Sequence, residues 1–194
     1  MKERNSMEVK DKIVDLLKDT GRTGMINLID YMEEGGFFTA PCSSKYHLCR
    51  EGGLAEHSLN VYYGMLEIDK ALNAGLPNDS IIICGILHDL GKMGDYGKAN
   101  YIENILKSGK VSTAEPYKTN PELSYITHEI KSISIAQRYI LLTEDEEFSI
   151  LYHNGMYSPL SRQYQGKETP MSLILHWADM WASRITEVEK EEEE

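Results

Sequence analysis

Hydrophobic residues recur at helical spacing along most of this 194-residue chain. Between Met7 and Asp19 they stand at positions 9, 13, 16 and 17, which lie on one face of a helix. Between Met25 and Met32 the pattern repeats, and the glycine pair that follows at positions 35 and 36 is a typical helix stop. Residues 1–36 are therefore predicted to form N-terminal helices that pack on the core of the protein.

A central helix and a long loop are predicted next. Residues 54–72 have helical spacing, and residues 80–90 are apolar almost all round, which favours a buried helix capped by Asp79. Residues 91–121 are rich in Gly, Lys, Tyr and Asn, with one short periodic piece at 102–106. This segment is predicted to be a long irregular insert, and loops of that length are often functional.

The remainder of the chain again predicts helices. Residues 122–142 have helical periodicity, and Thr143 with Glu146 forms a capping-box signature for the helix that follows. Thr169 and Pro170 begin the last helix, with proline at the first position, where it is tolerated. Because no segment is rich in strand-forming residues, the pattern predicts an all-α fold.

Length and composition indicate one compact domain in the cytoplasm. No stretch approaches the roughly 20 apolar residues that a transmembrane helix needs, and the first residues lack the apolar segment of a secretory signal. Cys42, Cys49 and Cys84 are odd in number and form no C-x-x-C pair, so reduced thiols are expected. No membrane association is expected, and the many Met and Tyr residues leave a homodimer open.

The charge of the chain limits the kinds of partner it attracts. The formal net charge is −11, which disfavours long nucleic acid because binding it requires clustered Lys and Arg. Part of this charge is local, since residues 187–194 are nearly all Glu and are predicted to form an acidic tail. A polyanionic substrate would then depend on bound metals and a few cations for attraction.

The chemistry of the chain centres on His88 and Asp89, which end the apolar central helix. They bring an imidazole and a carboxylate to the same small volume, a combination that suits a divalent metal with mixed nitrogen and oxygen ligands. The pair gains weight from the other residues of the same kinds along the chain, which are His57, His128, His153 and Asp179.

The order H…HD…H…H…D resembles the HD-domain metal-dependent phosphohydrolases, in the version that holds two metals. Residues 52–61, GGLAEHSLNV, resemble the start of the first ligand helix, especially in the HD part of bacterial 3′-to-5′ exoribonucleases. Residues 176–183 resemble the closing H-x-A-D-x-x-A helix of the same group. The resemblance implies that residues 37–186 form a single HD-domain helical bundle with the insert after the HD motif.

The resemblance also implies two divalent transition metals, whose identity (Fe, Mn, Co, Ni or Zn) stays open. The first metal would be held by His57, His88, Asp89 and Asp179. Asp89 would bridge to the second metal, whose other ligands would be His128 and His153. Taken alone, His128 also fits a hydrogen-bonded helix histidine, and His153 fits a partner of a helix dipole.

Lys92 matches the family pattern H-D-x-x-K. Lys92 and Asp89 are the candidate catalytic residues. Its ammonium would contact a phosphoryl oxygen or the leaving group as a point charge. The alternative is a lysine that satisfies carbonyls at a helix end. Lys92, His47, Arg50 and His176 are the candidate substrate-binding residues.

The expected function is hydrolysis of a phosphoester in a nucleotide or similar small phosphorylated substrate by a metal-activated water. A single histidine at 153, where relatives that degrade cyclic dinucleotides have a His-His doublet, disfavours that substrate. The alternatives are a small 3′-to-5′ nuclease or cyclic-nucleotide phosphodiesterase, and a non-catalytic regulatory module that binds a nucleotide. Oxygenase chemistry at a di-iron site is a further alternative.

Overall fold

The computed structural model describes residues 6–188 and confirms the helical fold. The α-helices in this range are α1 (Ser6–Asp19), α2 (Met25–Glu34), α3 (Gly53–Leu72), α4 (Asn78–Leu87), α5 (His128–Ala136), α6 (Glu144–Leu151), α7 (Ser161–Tyr164) and α8 (Pro170–Trp181). Shorter helical segments are the 3₁₀ turns Leu90–Met93 and Gly155–Tyr157 and the π-helical Ala182–Thr186. None of these helices is long and apolar enough to cross a membrane.

Helix α4 is the centre of the domain. Its residues from Ser80 to Leu87 are all buried, as the apolar sequence predicts, and α1, α3, α6 and α8 pack around it. Gly85 allows the closest approach, because a Cβ there would lie 2.7 Å from the Cα of Tyr62 on α3. This contact brings the backbones of α3 and α4 together just before the residues that carry the candidate chemistry.

The N-terminal helices pack against this centre. The buried residues of α1 are the four at the predicted positions, Val9, Ile13, Leu16 and Leu17. Helix α1 contacts α2, α3 and α4, so that the first part of the chain shares its hydrophobic core with the remainder. Helix α2 ends at Gly35, as its glycine pair predicts.

Two predicted helix starts are wrong. Helix α4 begins after Pro77, and Asp79 lies inside its first turn, where it pairs with Arg22 instead of capping the helix. Helix α5 begins at His128 rather than at residue 122. The preceding segment is tied to the insert, because the Asn120 side chain accepts from the backbone N–H of Glu122 and donates to a carbonyl of the insert.

The insert contains strands, which corrects the prediction that it is irregular and that the chain is free of β-structure. Gly94–Asp95 (β1) pairs antiparallel with Lys98–Ala99 (β2), and Tyr101–Glu103 (β3) pairs antiparallel with Tyr117–Thr119 (β4). These strands are two or three residues long, so they carry no alternating hydrophobic pattern that sequence analysis detects. The β3–β4 pair lines a cavity beside the HD motif.

Arg22 joins three parts of the fold. Its guanidinium donates to both carboxylate oxygens of Glu146 (2.7 and 2.5 Å) and to Asp79 (2.8 Å). Glu146 is fully buried and also completes the predicted capping box with Thr143 at the start of α6. The turn between α1 and α2 is therefore tied to the first turns of α4 and α6.

We expect Arg22→Ala to lower the free energy of unfolding by about 3 kcal/mol, because the buried Glu146 carboxylate loses its cationic partner. For a domain of this size the midpoint of thermal unfolding should then fall by roughly 6–12 °C. The matched control is Asp79→Asn, which removes the more exposed partner of Arg22 and should cost less than about 1 kcal/mol. Equal losses in the two variants, measured by denaturant unfolding, would contradict a special role of the Glu146 pair.

Candidate metal centre

Six side chains from five parts of the fold converge behind the insert. These are His57 in α3, His88 and Asp89 directly after α4, His128 at the start of α5, His153 after α6 and Asp179 in α8. They are the six residues that the sequence proposes as metal ligands, and the structure brings all of them together. Asp89 lies at the middle, with 1% of its surface exposed.

The first ligand group consists of His57, His88, Asp179 and Oδ2 of Asp89. The Nε2 atom of His57 lies 3.3 Å from Nε2 of His88 and 3.2 Å from Oδ1 of Asp179. Oδ2 of Asp89 lies 3.5 Å from Nε2 of His57 and 3.4 Å from that of His88. Two imidazoles and two carboxylates therefore surround one small volume.

The second ligand group consists of His128, His153 and Oδ1 of Asp89. The Nε2 atoms of His128 and His153 lie 3.3 Å apart. Oδ1 of Asp89 lies 3.3 Å from Nε2 of His128 and 3.6 Å from Nε2 of His153. Each oxygen of the Asp89 carboxylate thus faces a different pair of histidines. This is the arrangement that a carboxylate bridging two cations requires.

The histidine rings are held with their Nε2 atoms toward Asp89 by contacts of their Nδ1 atoms. Those contacts are with the Glu187 carboxylate for His57 (3.0 Å), the Gly85 carbonyl for His88 (3.0 Å) and the Ile150 carbonyl for His153 (2.8 Å). A ring whose Nδ1–H donates in this way is left with an unprotonated Nε2 when it is neutral. Such outer contacts orient histidines that bind metals.

The centre therefore gathers nitrogen and oxygen atoms of the kinds that bind a metal ion. Oδ1 of Asp89 is buried and accepts no hydrogen bond from any residue in the range 6–188, although two imidazole nitrogens lie within 3.6 Å of it. An unpaired buried carboxylate oxygen is costly. A divalent metal with mixed nitrogen and oxygen ligands fits this donor set, which suits Fe, Mn, Co, Ni or Zn.

The acid–base properties of the two groups differ. Burial opposes protonation of His57, but the neighbouring Cys42 and the hydrogen bonds to Asp179 and Glu187 raise its pKa well above the ordinary value. Burial instead lowers the pKa of His128 to about 4 and also lowers that of His153. The first group, richer in carboxylates, therefore attracts positive charge more strongly than the second.

Lys92 contacts the bridging carboxylate directly. Its Nζ donates to Oδ2 of Asp89 at 2.6 Å, so its partner is this carboxylate instead of helix-end carbonyls. Burial opposes the charge of Lys92, but Asp89 raises its pKa well above the usual range. A permanently charged ammonium therefore lies at the edge of both ligand groups.

The three other candidate substrate-binding residues lie in different surroundings. His47 lies beside the centre, with its ring centroid 5.0 Å from that of His57 and its Nε2 3.3 Å from Sγ of Cys42. Burial lowers the pKa of His47 to about 4, which keeps the ring neutral. Arg50 instead pairs with Glu56 at 2.5 Å, with 41% of its side chain exposed.

His176 supports the second ligand group from behind. Its Nδ1 lies 2.7 Å from the backbone carbonyl of His153, to which it donates. Gly155 makes room for the ring, because it has a φ of +51° and a Cβ there would lie 2.6 Å from Nε2 of His176. In this structure His176 therefore positions the segment that carries His153.

Glu187 is a functional residue that the sequence places in the acidic tail, and the structure corrects that placement. Only 9% of it is exposed, and its carboxylate accepts from Nδ1 of His57 and from Nδ2 of Asn60 at 3.0 Å. The π-helical segment Ala182–Thr186 leads the chain to this contact. No local pattern signals the role, and residues 189–194 lie outside the described part.

Asn154 and Glu129 are two further neighbours of the second group. The Asn154 amide donates to Glu129 at 2.7 Å and lies 3.3 Å from Nε2 of His153 and 3.4 Å from that of His128. Oε2 of Glu129 is buried, forms no hydrogen bond with residues 6–188 and lies 3.5 Å from Nδ1 of His128. Their positions directly after the two histidines are the sequence signal that identifies them.

Comparison with known proteins gives one clear result. The family model "HD domain" matches residues 54–182, which is more than half of the chain and includes all six converging residues. Neither the curated proteins nor the solved structures yield a match, so the similarity to exoribonucleases stays a prediction. HD domains are generally metal-dependent phosphohydrolases and typically bind divalent metals. On its sequence match and on the convergence of its histidines and aspartates, this chain belongs to the HD domain family.

Proposed function

We propose that this protein is a metal-dependent phosphohydrolase that cleaves a phosphoester of a nucleotide or similar small phosphorylated substrate. The observation that carries the proposal is the Asp89 carboxylate, whose two oxygens face two separate histidine pairs. One of these oxygens is buried without a hydrogen bond from residues 6–188. A bridging position between two metals accounts for both facts.

In this proposal the first ligand group would hold one metal and the second group would hold another, with Asp89 as the shared ligand. Bound there, divalent metals supply an activated water at neutral pH and stabilise charge on phosphoryl oxygens. Lys92 is fixed beside Asp89 and contributes a positive charge to the same volume. Hydrolysis forms a bond from the water oxygen to phosphorus and breaks the ester bond, and the leaving oxygen takes up a proton.

A small cavity beside the centre supports a small substrate. It measures about 280 Å³ and is lined by Lys92 and His128 on one side and by Tyr101 and Asn120 of the insert on the other. A larger groove of about 850 Å³ lies between α3 and α8, but its lining is mostly apolar and includes none of the six converging residues. The chemistry of the site therefore favours the smaller cavity for the substrate.

We expect wild-type protein to bind about two divalent metal ions per chain, as the two ligand groups require. His128→Ala should retain about one, because it removes a ligand of the second group alone, and Asp89→Ala should retain fewer, because both groups share that carboxylate. Elemental analysis after gel filtration measures this ratio. A wild-type ratio near one that His128→Ala does not change would contradict the second site.

Glu187→Gln should weaken metal binding in the first group by roughly 10–100-fold, because the partner that orients His57 loses its charge. Titration with a metal-chelating competitor measures the affinity. Glu67→Gln is the matched control, since it makes the same change at an exposed glutamate of the helix that carries His57, outside the centre. Equal affinities of the two variants would show that Glu187 has no part in orienting the ligand.

Turnover should be tested with a panel of nucleotides, cyclic nucleotides and short oligonucleotides in the presence of Mn²⁺. We expect hydrolysis of nucleotides, its loss in Asp89→Ala, and a decrease in kcat of roughly 10²-fold or more in Lys92→Met, which loses the charge beside the reacting phosphoryl group. Cleavage of oligonucleotides alone would favour a nuclease. Bound metal without turnover of any member of the panel would favour a regulatory nucleotide-binding module.

A further inference from the structure

Lys131 is a buried cation that the proposed chemistry does not use. It lies on α5, three residues after His128, and only 6% of it is exposed. Within residues 6–188 its ammonium makes no hydrogen bond and no ion pair. Lysines that are buried to this extent are almost always paired. No carboxylate among residues 6–188 contacts its ammonium, so the position suits an anionic ligand.

The nearest acidic side chain does not satisfy Lys131. Burial lowers the pKa of this lysine, and the charge of Asp95 only partly opposes the effect. The Asp95 carboxylate is already engaged, because it accepts from Arg138 at 2.8 Å, from the hydroxyl of Tyr31 and from the backbone N–H of Tyr96. A positive charge at the end of a largely buried side chain, with no carboxylate in direct contact, favours an anionic ligand.

Lys131 stands in the wall of two adjoining cavities. The inner one, of about 280 Å³, also includes Lys92 and His128 and so reaches the metal centre. The outer one, of about 350 Å³, continues past the segment that precedes α5, and Leu123 and Ser124 line both. A ligand that starts at the metal centre and extends along the inner cavity would therefore pass Lys131.

The other lysines of these cavities already have partners. Lys92 donates to the Asp89 carboxylate. Lys98 donates to the backbone carbonyl of Glu122 at 3.2 Å, and the Glu122 carboxylate lies 3.7 Å from the same ammonium. Lys131 is thus the lysine of these cavities that makes no hydrogen bond and no ion pair with residues 6–188. The Lys131 stem packs against Gly91, since a Cβ on that glycine would lie 2.8 Å from Cβ of Lys131.

We propose that Lys131 binds a second phosphate of the substrate, separate from the phosphoester held at the metal centre. This inference rests on the proposed phosphohydrolase function and narrows it to nucleotides with more than one phosphate. The second phosphate either continues a chain, as in a nucleoside diphosphate, or stands on another hydroxyl, as in a nucleoside 3′,5′-bisphosphate. A charge-assisted contact of this kind provides discrimination against substrates that lack the group.

The decisive experiment compares Lys131→Met with wild type on a nucleoside 5′-monophosphate, a 5′-diphosphate and a 3′,5′-bisphosphate, all with Mn²⁺. Methionine keeps an unbranched apolar stem in place of the lysine stem and removes the charge. We expect KM to rise roughly 10–100-fold for one of the two doubly phosphorylated substrates, with little change in kcat or in KM for the monophosphate. The substrate that responds identifies where the second phosphate stands.

Lys98→Met is the matched control, because it removes a lysine of the outer cavity that already has a partner. It should leave the KM values of all three substrates unchanged. An equal change in KM for all three substrates in Lys131→Met, or no change in any of them, would overturn the proposal. Thermal unfolding of ligand-free protein excludes misfolding as a cause, since removal of an unpaired buried charge should preserve or raise the midpoint.

Binding measured without turnover separates this inference from the proposed function. Calorimetric titration of wild type and Lys131→Met with pyrophosphate and with the 3′,5′-bisphosphate reports the subsite even if no substrate is hydrolysed. Weaker binding of either ligand to Lys131→Met than to wild type would support the subsite. If wild type also hydrolyses none of the substrates, that result would overturn only the phosphohydrolase function. Equal binding of both ligands to the two proteins would overturn the subsite alone.

Discussion

The structure depends on the convergence of imidazole lone pairs on a single buried carboxylate. The Nε2 atoms of four histidines point toward Asp89, and three of those rings are fixed through their Nδ1 atoms. Such nitrogen and carboxylate oxygen atoms lie close together when they share a proton, as the raised pKa of His57 indicates, or when they bind a metal ion. The helical framework holds the rings in place through the packing of α3 on α4 and of α5 on the turn Leu90–Met93 after the HD motif.

Two glycines make this packing possible. Gly85 lets α3 and α4 approach until a Cβ would overlap the backbone of Tyr62, and Gly91 lets the turn after the HD motif approach α5. At Gly91 a Cβ would lie 2.5 Å from the carbonyl oxygen of His128. The first glycine thus sets the distance between His57 and His88, and the second sets the distance from Asp89 to His128. Both ligand groups rely on backbone contact for their geometry.

The two groups are unequal, and the inequality has a physical origin. Asp179 and Glu187 add carboxylates on the side of His57, and the pKa of this histidine is raised as a result, although burial opposes it. On the other side the pKa of His128 is lowered to about 4, because burial dominates. A metal in the second group would depend more on the shared Asp89. The Lys92 ammonium, which binds Asp89 as well, therefore influences both positions.

The cations around the centre also fall into two kinds. Lys92 donates a hydrogen bond to Asp89, whereas Lys131 makes no hydrogen bond and no ion pair with residues 6–188. The β3–β4 pair of the insert forms the opposite wall of the cavity that connects the two lysines, with Tyr101 and Asn120 lining it. The insert therefore limits the size of the ligand, and the lysines define its charge.

Sequence by itself determined the helical fold, the buried face of α1, the capping box at Thr143, the start of α8 and the six residues that converge. These features depend on spacing within a few turns or on the order of histidines and aspartates along the chain, which resembles that of a known family. Only the tertiary structure decided the role of Glu187, which contacts a histidine 130 residues away, and the isolation of Lys131. It also decided the hairpins of the insert, whose strands are too short for a pattern. Local spacing tells which face of a helix is apolar, but the partner of a buried charge is chosen by long-range packing.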